Sequence, residues 1–165
     1  MTLQSRQSGG PTDGADGPRV LARESFAFEL DVELRRAVRT RNYLTLVVVE
    51  AGQETEGAKA AVDDAVMQTI VETFADAVRD TDLMGYLEHA ALGLVLLDAD
   101  FERSTQVIDR LMSRLDTSKL DSTVRIAVGA ACYPSDGVDA GSLAREAMAR
   151  HVASCRGQRV IGQPN

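Results

Sequence analysis

Leu92-Gly93-Leu94-Val95-Leu96-Leu97 is a short apolar run without a charge, bounded on both sides. Its length suits a buried strand better than a helix. Four residues, Glu88-His89-Ala90-Ala91, lie before it, and Leu83-Met84-Gly85-Tyr86 lies before those. The stretch from Val78 to Leu97 therefore predicts the end of a helix, a strand, a tight turn and a second strand. The turn has no glycine, although tight hairpin turns favour residues at positive φ. Arg79-Asp80-Thr81-Asp82 stands directly ahead of the hairpin.

The other elements are placed around it. Glu24 to about Arg39 predicts a helix with Phe26, Leu30, Leu34 and Ala37 on one face. Leu44 to Glu50 is a β-branched run and predicts a buried strand. Ala51 to Glu56 reads as a polar loop. Ala58 to Val78 reads as a long helix, with Met67, Ile70, Val71, Phe74 and Val78 inward. A third helix is expected over Phe101 to Leu115, with Phe101, Ile108, Leu111, Met112 and Leu115 inward. Thr123 to Cys132 alternates with period two and predicts a strand. Tyr133-Pro134-Ser135-Asp136-Gly137 predicts a turn. Ser142 to about Ser154 predicts a helix, and Arg159-Val160-Ile161 a short edge strand. Residues 1–22 are rich in Ser, Gly, Pro, Gln and Asp and predict a flexible tail. Residues 23–162 predict one domain.

Composition excludes some partners. The chain has 165 residues and a net charge of −7, with no long basic run, which argues against nucleic-acid polymers and anionic membranes. No apolar run approaches the ~20 residues of a membrane span, and the N-terminus lacks a signal-peptide core. Cys132 and Cys155 have no metal-ligand spacing and predict reduced thiols in a cytoplasm. His89 and His151 predict exposed residues rather than ligands.

The residues in this order resemble the GGDEF (diguanylate cyclase) family. The resemblance rests on Phe26 in the first helix, Asp64-Ala65-Val66-Met67, Arg79-Asp80-Thr81-Asp82-Leu83, and the strand Thr123 to Pro134 with Asp136-Gly137 after it. It implies an α/β sandwich of nucleotidyl-cyclase type. A central, mostly antiparallel sheet would have a βαββαβ core and flanking helices. The departures fall on the catalytic positions. The signature Gly-Gly-(Asp/Glu)-Glu-Phe coincides with Glu88-His89-Ala90-Ala91-Leu92, so its glycines and acids are absent. Glu50 stands at the metal-binding Asp, Ala51 to Val62 replaces the acidic turn, and Asp64 matches a base-contacting Asp. The late Ala-Lys-x-x-Gly-Arg-Asn is reduced to Ala153-Ser154-Cys155-Arg156-Gly157-Gln158. Phosphoryl-type transfer needs metal-held phosphates, and Mg²⁺ sites need carboxylate oxygens. The expectation is no cyclase activity, no metal and no cofactor.

What the resemblance preserves is the inhibitory-type site: Arg79, Asp82 and, in the third helix, Arg110. It implies cyclic di-GMP as ligand. A guanidinium grips guanine O6/N7 or a phosphate with two parallel bonds, and a carboxylate accepts from guanine N–H groups. The same pair also reads as a surface ion pair worth about 0–1 kcal/mol. Three functions stay open: a silent cyclic di-GMP receptor signalling by dimerisation or partner contact, a ligand-independent interaction scaffold, and a GTP binder at the altered site.

Overall fold

The computed structural model describes residues 19–88 and 91–156. Four helices and six strands follow the order α1 (Arg23–Thr40), β1 (Leu44–Thr55), β2 (Ala58–Ala61), α2 (Asp64–Ala75), β3 (Leu83–Tyr86), β4 (Leu92–Leu97), α3 (Phe101–Asp116), β5 (Val124–Tyr133), α4 (Ala140–Ala149) and β6 (His151–Arg156). One sheet runs β3-β4-β1-β5-β6, with β2 added to β1. Every strand pair in it is antiparallel. The expected βαββαβ core is present as β1-α2-β3-β4-α3-β5.

Strand parity distributes the core. Val47 and Val49 of β1 point to one face, where they meet Ile70 and Phe74 of α2 and Ile108, Leu111 and Leu115 of α3. Leu44, Leu46 and Val48 point to the other, under α1 and α4. The period of two therefore buries alternate side chains of one strand beneath two different helix pairs. The predicted α1 face, Phe26, Leu30, Leu34 and Ala37, is the buried one.

Phe26 lies across β3 and β4 where both carry glycine. An added Cβ at Gly85 would stand 2.5 Å from the Phe26 ring, and one at Gly93 would stand 2.7 Å from it. These paired glycines let α1 approach the hairpin strands closely. Ahead of α1, Leu21 forms a parallel bridge to Gly85. Its N–H donates to the Met84 carbonyl (2.9 Å) and its carbonyl accepts from Tyr86 N–H (3.0 Å). Leu21 falls in the stretch expected as a tail, so the fold takes in part of that stretch.

Three expected elements differ. β1 does not end at Glu50 but continues to Thr55. It turns at Glu56 and Gly57, both at positive φ (50° and 80°), and returns as β2. The expected loop at Ala51 to Glu56 and the helix start at Ala58 are thus one hairpin. It closes through a two-residue turn of the kind that matches strand twist. α2 begins later, at Asp64, where the Asp63 carboxylate caps it by accepting Val66 N–H (2.9 Å). α4 ends at Ala149, and the residues from His151, expected as helix, form β6 against β5. The tail up to residue 18, the turn residues His89 and Ala90, and the expected strand Arg159-Val160-Ile161 lie outside the described residues.

Candidate functional site

The segment between α2 and β3 carries Arg79 and Asp82. Its turn closes with Asp82 N–H donating to the Arg79 carbonyl (3.0 Å). The Asp82 side chain is 3 % exposed and that of Arg79 is 62 % exposed. Asp82 Oδ2 accepts from Arg79 N–H (3.1 Å), and Oδ1 accepts from the N–H of Leu97 (3.1 Å), the last residue of β4. Arg79 Nε stands 3.5 Å from Asp82 Oδ2, and its Nη2 donates to the Leu97 carbonyl (2.7 Å). The pair therefore grips both backbone groups of one residue and ties the entry of β3 to the exit of β4. A buried carboxylate is tolerable here because N–H donors reach both of its oxygens.

Arg110, on α3, reaches the same turn from the other side. Its Nη2 donates to the Ala77 carbonyl (3.0 Å). The three expected site residues thus converge on the segment Ala77 to Asp82, but their contacts are with backbone and with one another. Beside Arg79 opens a cleft of about 270 Å³, walled by α1 and by the start of β1. Arg36, Tyr43, Arg79, Thr81 and Asp98 are among its lining residues, and Arg110 is not. Tyr43 is half-exposed, and Glu33, whose carboxylate stands 3.7 Å from Arg36 Nη1, lines the same opening. In the sequence Arg36 reads as part of a solvated basic edge with Arg35, Arg39 and Arg41, and Tyr43 is not singled out. Their only signals there are a basic helix end and an exposed aromatic ahead of a strand.

At the far end of the sheet, β1 carries Glu50 and Glu54 on the α1/α4 face. Glu54 pairs with Arg125 of β5 (3.1 Å). Glu50 lies 3.7 Å from His151 Nε2, which pairs as an ion only when the imidazole is protonated. His151 belongs to β6 and not, as expected, to a helix surface. The groove between these residues, about 640 Å³, also takes in Cys155. Burial pushes the Cys155 thiol up, and Asp116 adds to the shift. It is protonated at neutral pH and a poor nucleophile.

Asp64 is exposed at the first position of α2 and lines a smaller opening of about 360 Å³ with Met67, Gln68 and Tyr86. The cap is its neighbour Asp63. Among the described residues no group of three or more His, Cys, Asp or Glu side chains is placed to hold a metal ion. Glu50, the one candidate metal ligand from sequence, faces an imidazole. The donor set at this end does not fit a Mg²⁺ ion, which takes carboxylate and water oxygens. No helix among the described residues is long and apolar enough to cross a membrane.

The family model described as "Diguanylate cyclase, GGDEF domain" matches residues 19–154. No curated protein matches the chain. Among solved structures, a diguanylate cyclase protein from Thermotoga maritima superimposes with a TM-score of 0.67 at 16 % identity, covering 80 % of this chain and 95 % of its own. The GGDEF domain of YfiN (TpbB) from Pseudomonas aeruginosa gives 0.67 at 19 % identity, covering 80 % and 88 %. The GGDEF domain of DgcB from Caulobacter crescentus, in complex with c-di-GMP, gives 0.60 at 11 % identity, covering 79 % and 80 %. At such identities the superpositions speak for the fold alone.

Proposed function

This chain belongs to the GGDEF domain family, and from that premise we propose that it is a catalytically silent member that binds cyclic di-GMP at the cleft beside Arg79. The observation that carries the first half is the β1–β2 hairpin. Where the family resemblance calls for an acidic turn, β1 runs on to Thr55 and pairs with β2. Its two carboxylates are engaged by His151 and Arg125 instead of converging on the β3–β4 turn. Two GTP molecules would find no metal-binding group of acids there. Incubating the protein with GTP and Mg²⁺ or Mn²⁺ tests this half, and formation of cyclic di-GMP would sink it.

The second half is supported by the largely exposed Arg79 side chain, on a cleft that Arg36 and Tyr43 also line. Guanidinium groups take guanine edges and phosphates by paired hydrogen bonds, and an aromatic face stacks on a base. The complex of the Caulobacter DgcB domain with c-di-GMP gives a related fold holding this ligand. The residues proposed to bind are Arg79, with Asp82 orienting it, and Arg110 after a change of partner from the Ala77 carbonyl.

A second reading is favoured by Asp82. Its two oxygens are already committed to Leu97 and Arg79, as in a purely structural clasp. On that reading the domain is a ligand-independent scaffold that contacts another protein through its surface. Calorimetric titration with cyclic di-GMP, on wild type and Arg79→Ala, separates the two. Saturable binding that the substitution removes supports the receptor. Absence of heat with the wild type leaves the scaffold.

A further inference from the structure

The outer face of α1 is unpaired and self-complementary. Its buried face is turned to the sheet, so Glu24, Phe28, Asp31, Val32, Arg35 and Arg39 point away from the domain, and all six are exposed. Phe28 is 67 % exposed, a large apolar ring standing in solvent. Among the described residues Glu24, Asp31, Arg35 and Arg39 have no ion-pair partner, unlike Arg36, which pairs with Glu33. The order along the helix is acid, ring, acid, aliphatic, base, base.

A shallow groove lies one turn further along the same face. Val32, Arg35, Arg36 and Arg39 line it together with Glu33. Those first four stand at i, i+3, i+4 and i+7, the diamond of four side chains that receives a knob in helix packing. Phe28 is a knob without a hole, and this groove is a hole without a knob.

We propose that α1 is the homodimerisation surface of this protein, pairing antiparallel with α1 of a second copy. Placing the two-fold axis beside Asp31 and Val32 sets Phe28 of each copy over the Val32–Arg39 groove of the other. The ring then meets the Arg35 guanidinium, a favourable cation–π contact. The same register sets Glu24 opposite Arg39 of the second copy, twice over. Parallel pairing would instead oppose Arg35 to Arg35 and Arg39 to Arg39. Charge therefore selects the antiparallel arrangement, and a two-fold contact closes on itself without forming filaments. The helix is only about 27 Å long, so the contact is at the small end of specific interfaces and the dimer is weak and reversible. It does not depend on ligand binding at the Arg79 cleft.

Sedimentation velocity of the full chain over a concentration series tests this. The wild type is expected to show a concentration-dependent monomer–dimer equilibrium. Phe28→Asp is expected to raise the dimer Kd at least about tenfold, as loss of a central aromatic anchor does. Glu24→Arg also raises it, and adding Arg39→Glu to that variant restores it to within about threefold of wild type. All these side chains are exposed, and circular dichroism checks that the fold is retained. A wild type that stays monomeric up to millimolar concentration would overturn the proposal. So would a Phe28→Asp variant that dimerises unchanged, or a charge-swapped double variant no better than Glu24→Arg alone.

Discussion

The two ends of the sheet are held by opposite means. At one end the exit of β4 is gripped by a buried carboxylate and an arginine, and the turn after α2 is held again by Arg110. At the other, β1 projects past β4 and carries β2, whose four residues are all exposed. In the resemblance the first end binds product and the second does chemistry. Here the first end carries the Arg79–Asp82 clasp, and at the second β1 runs on into β2. The outer arm of that hairpin, β2, pairs only with β1 and buries none of its side chains, so little is asked of its residue types. The clasp at the other end, by contrast, depends on a carboxylate and a guanidinium at a fixed spacing.

The largest expected effect tests the clasped end. Asp82→Ala removes an acceptor from two backbone N–H groups, those of Arg79 and Leu97. Loss of charged hydrogen bonds at a buried site costs about 2–3 kcal/mol. Urea denaturation is the check, with the midpoint shifted and the slope unchanged. Arg79→Ala sharpens the contrast. Most of its side chain is in water, so its cost to stability is under about 1 kcal/mol. If the two substitutions cost the same, the pair is an ordinary surface ion pair and the clasp is not structural.

A smaller effect is expected at the projecting end. Gly57→Ala puts a Cβ on a residue at φ 80°, for about 1 kcal/mol of local strain. Because β2 buries no side chain, that strain opens the hairpin rather than the domain. Hydrogen exchange of the β2 amides should accelerate while the global unfolding energy changes by less than about 0.5 kcal/mol. A global loss as large as that of Asp82→Ala would erase the distinction between the two ends.

The smallest effect is one of pH. Asp139 caps α4, and the backbone N–H and hydroxyl of Ser142 hold its carboxyl below the ordinary 3.8. Its folded pKa is depressed, so the capping contribution is complete above the unfolded value and fades as pH falls through the lowered one. Stability measured between pH 5 and 2 should therefore decline less steeply in Asp139→Asn than in wild type.

The parts of the fold legible in sequence are those where burial writes a period. α1 shows its 3.6-residue stripe in Phe26, Leu30, Leu34 and Ala37, and β5 shows its alternation from Val124 to Cys132. β2 was illegible because Ala58-Lys59-Ala60-Ala61 is exposed throughout and made of helix formers. Only Glu56-Gly57 marks the turn. β6 reads as helix in the sequence because Val152, Ala153 and Cys155 prolong an apolar pattern without Gly or Pro to break it. Phe101 was expected inward. It is exposed at the first turn of α3, just past the capping Asp100. Of the candidate site, Arg79, Asp82 and Arg110 are legible in the sequence as candidates, and the fold brings all three to one turn. Their partners are not legible there, since the carbonyls of Leu97 and Ala77 and the Leu97 N–H leave no trace in side-chain identity.

The bridge made by Leu21 bears on how this protein avoids clumping. An edge strand with free N–H and C=O groups is a template onto which another chain can polymerise. β3 lies at one border of the sheet and is hydrophobic, the kind of strand most exposed to that fate. Leu21 occupies the outward carbonyl of Met84 and the outward N–H of Tyr86 with its own backbone. One residue ahead of the first helix thus works as a selvage on the sheet, and removing it would leave the β3 border unhemmed.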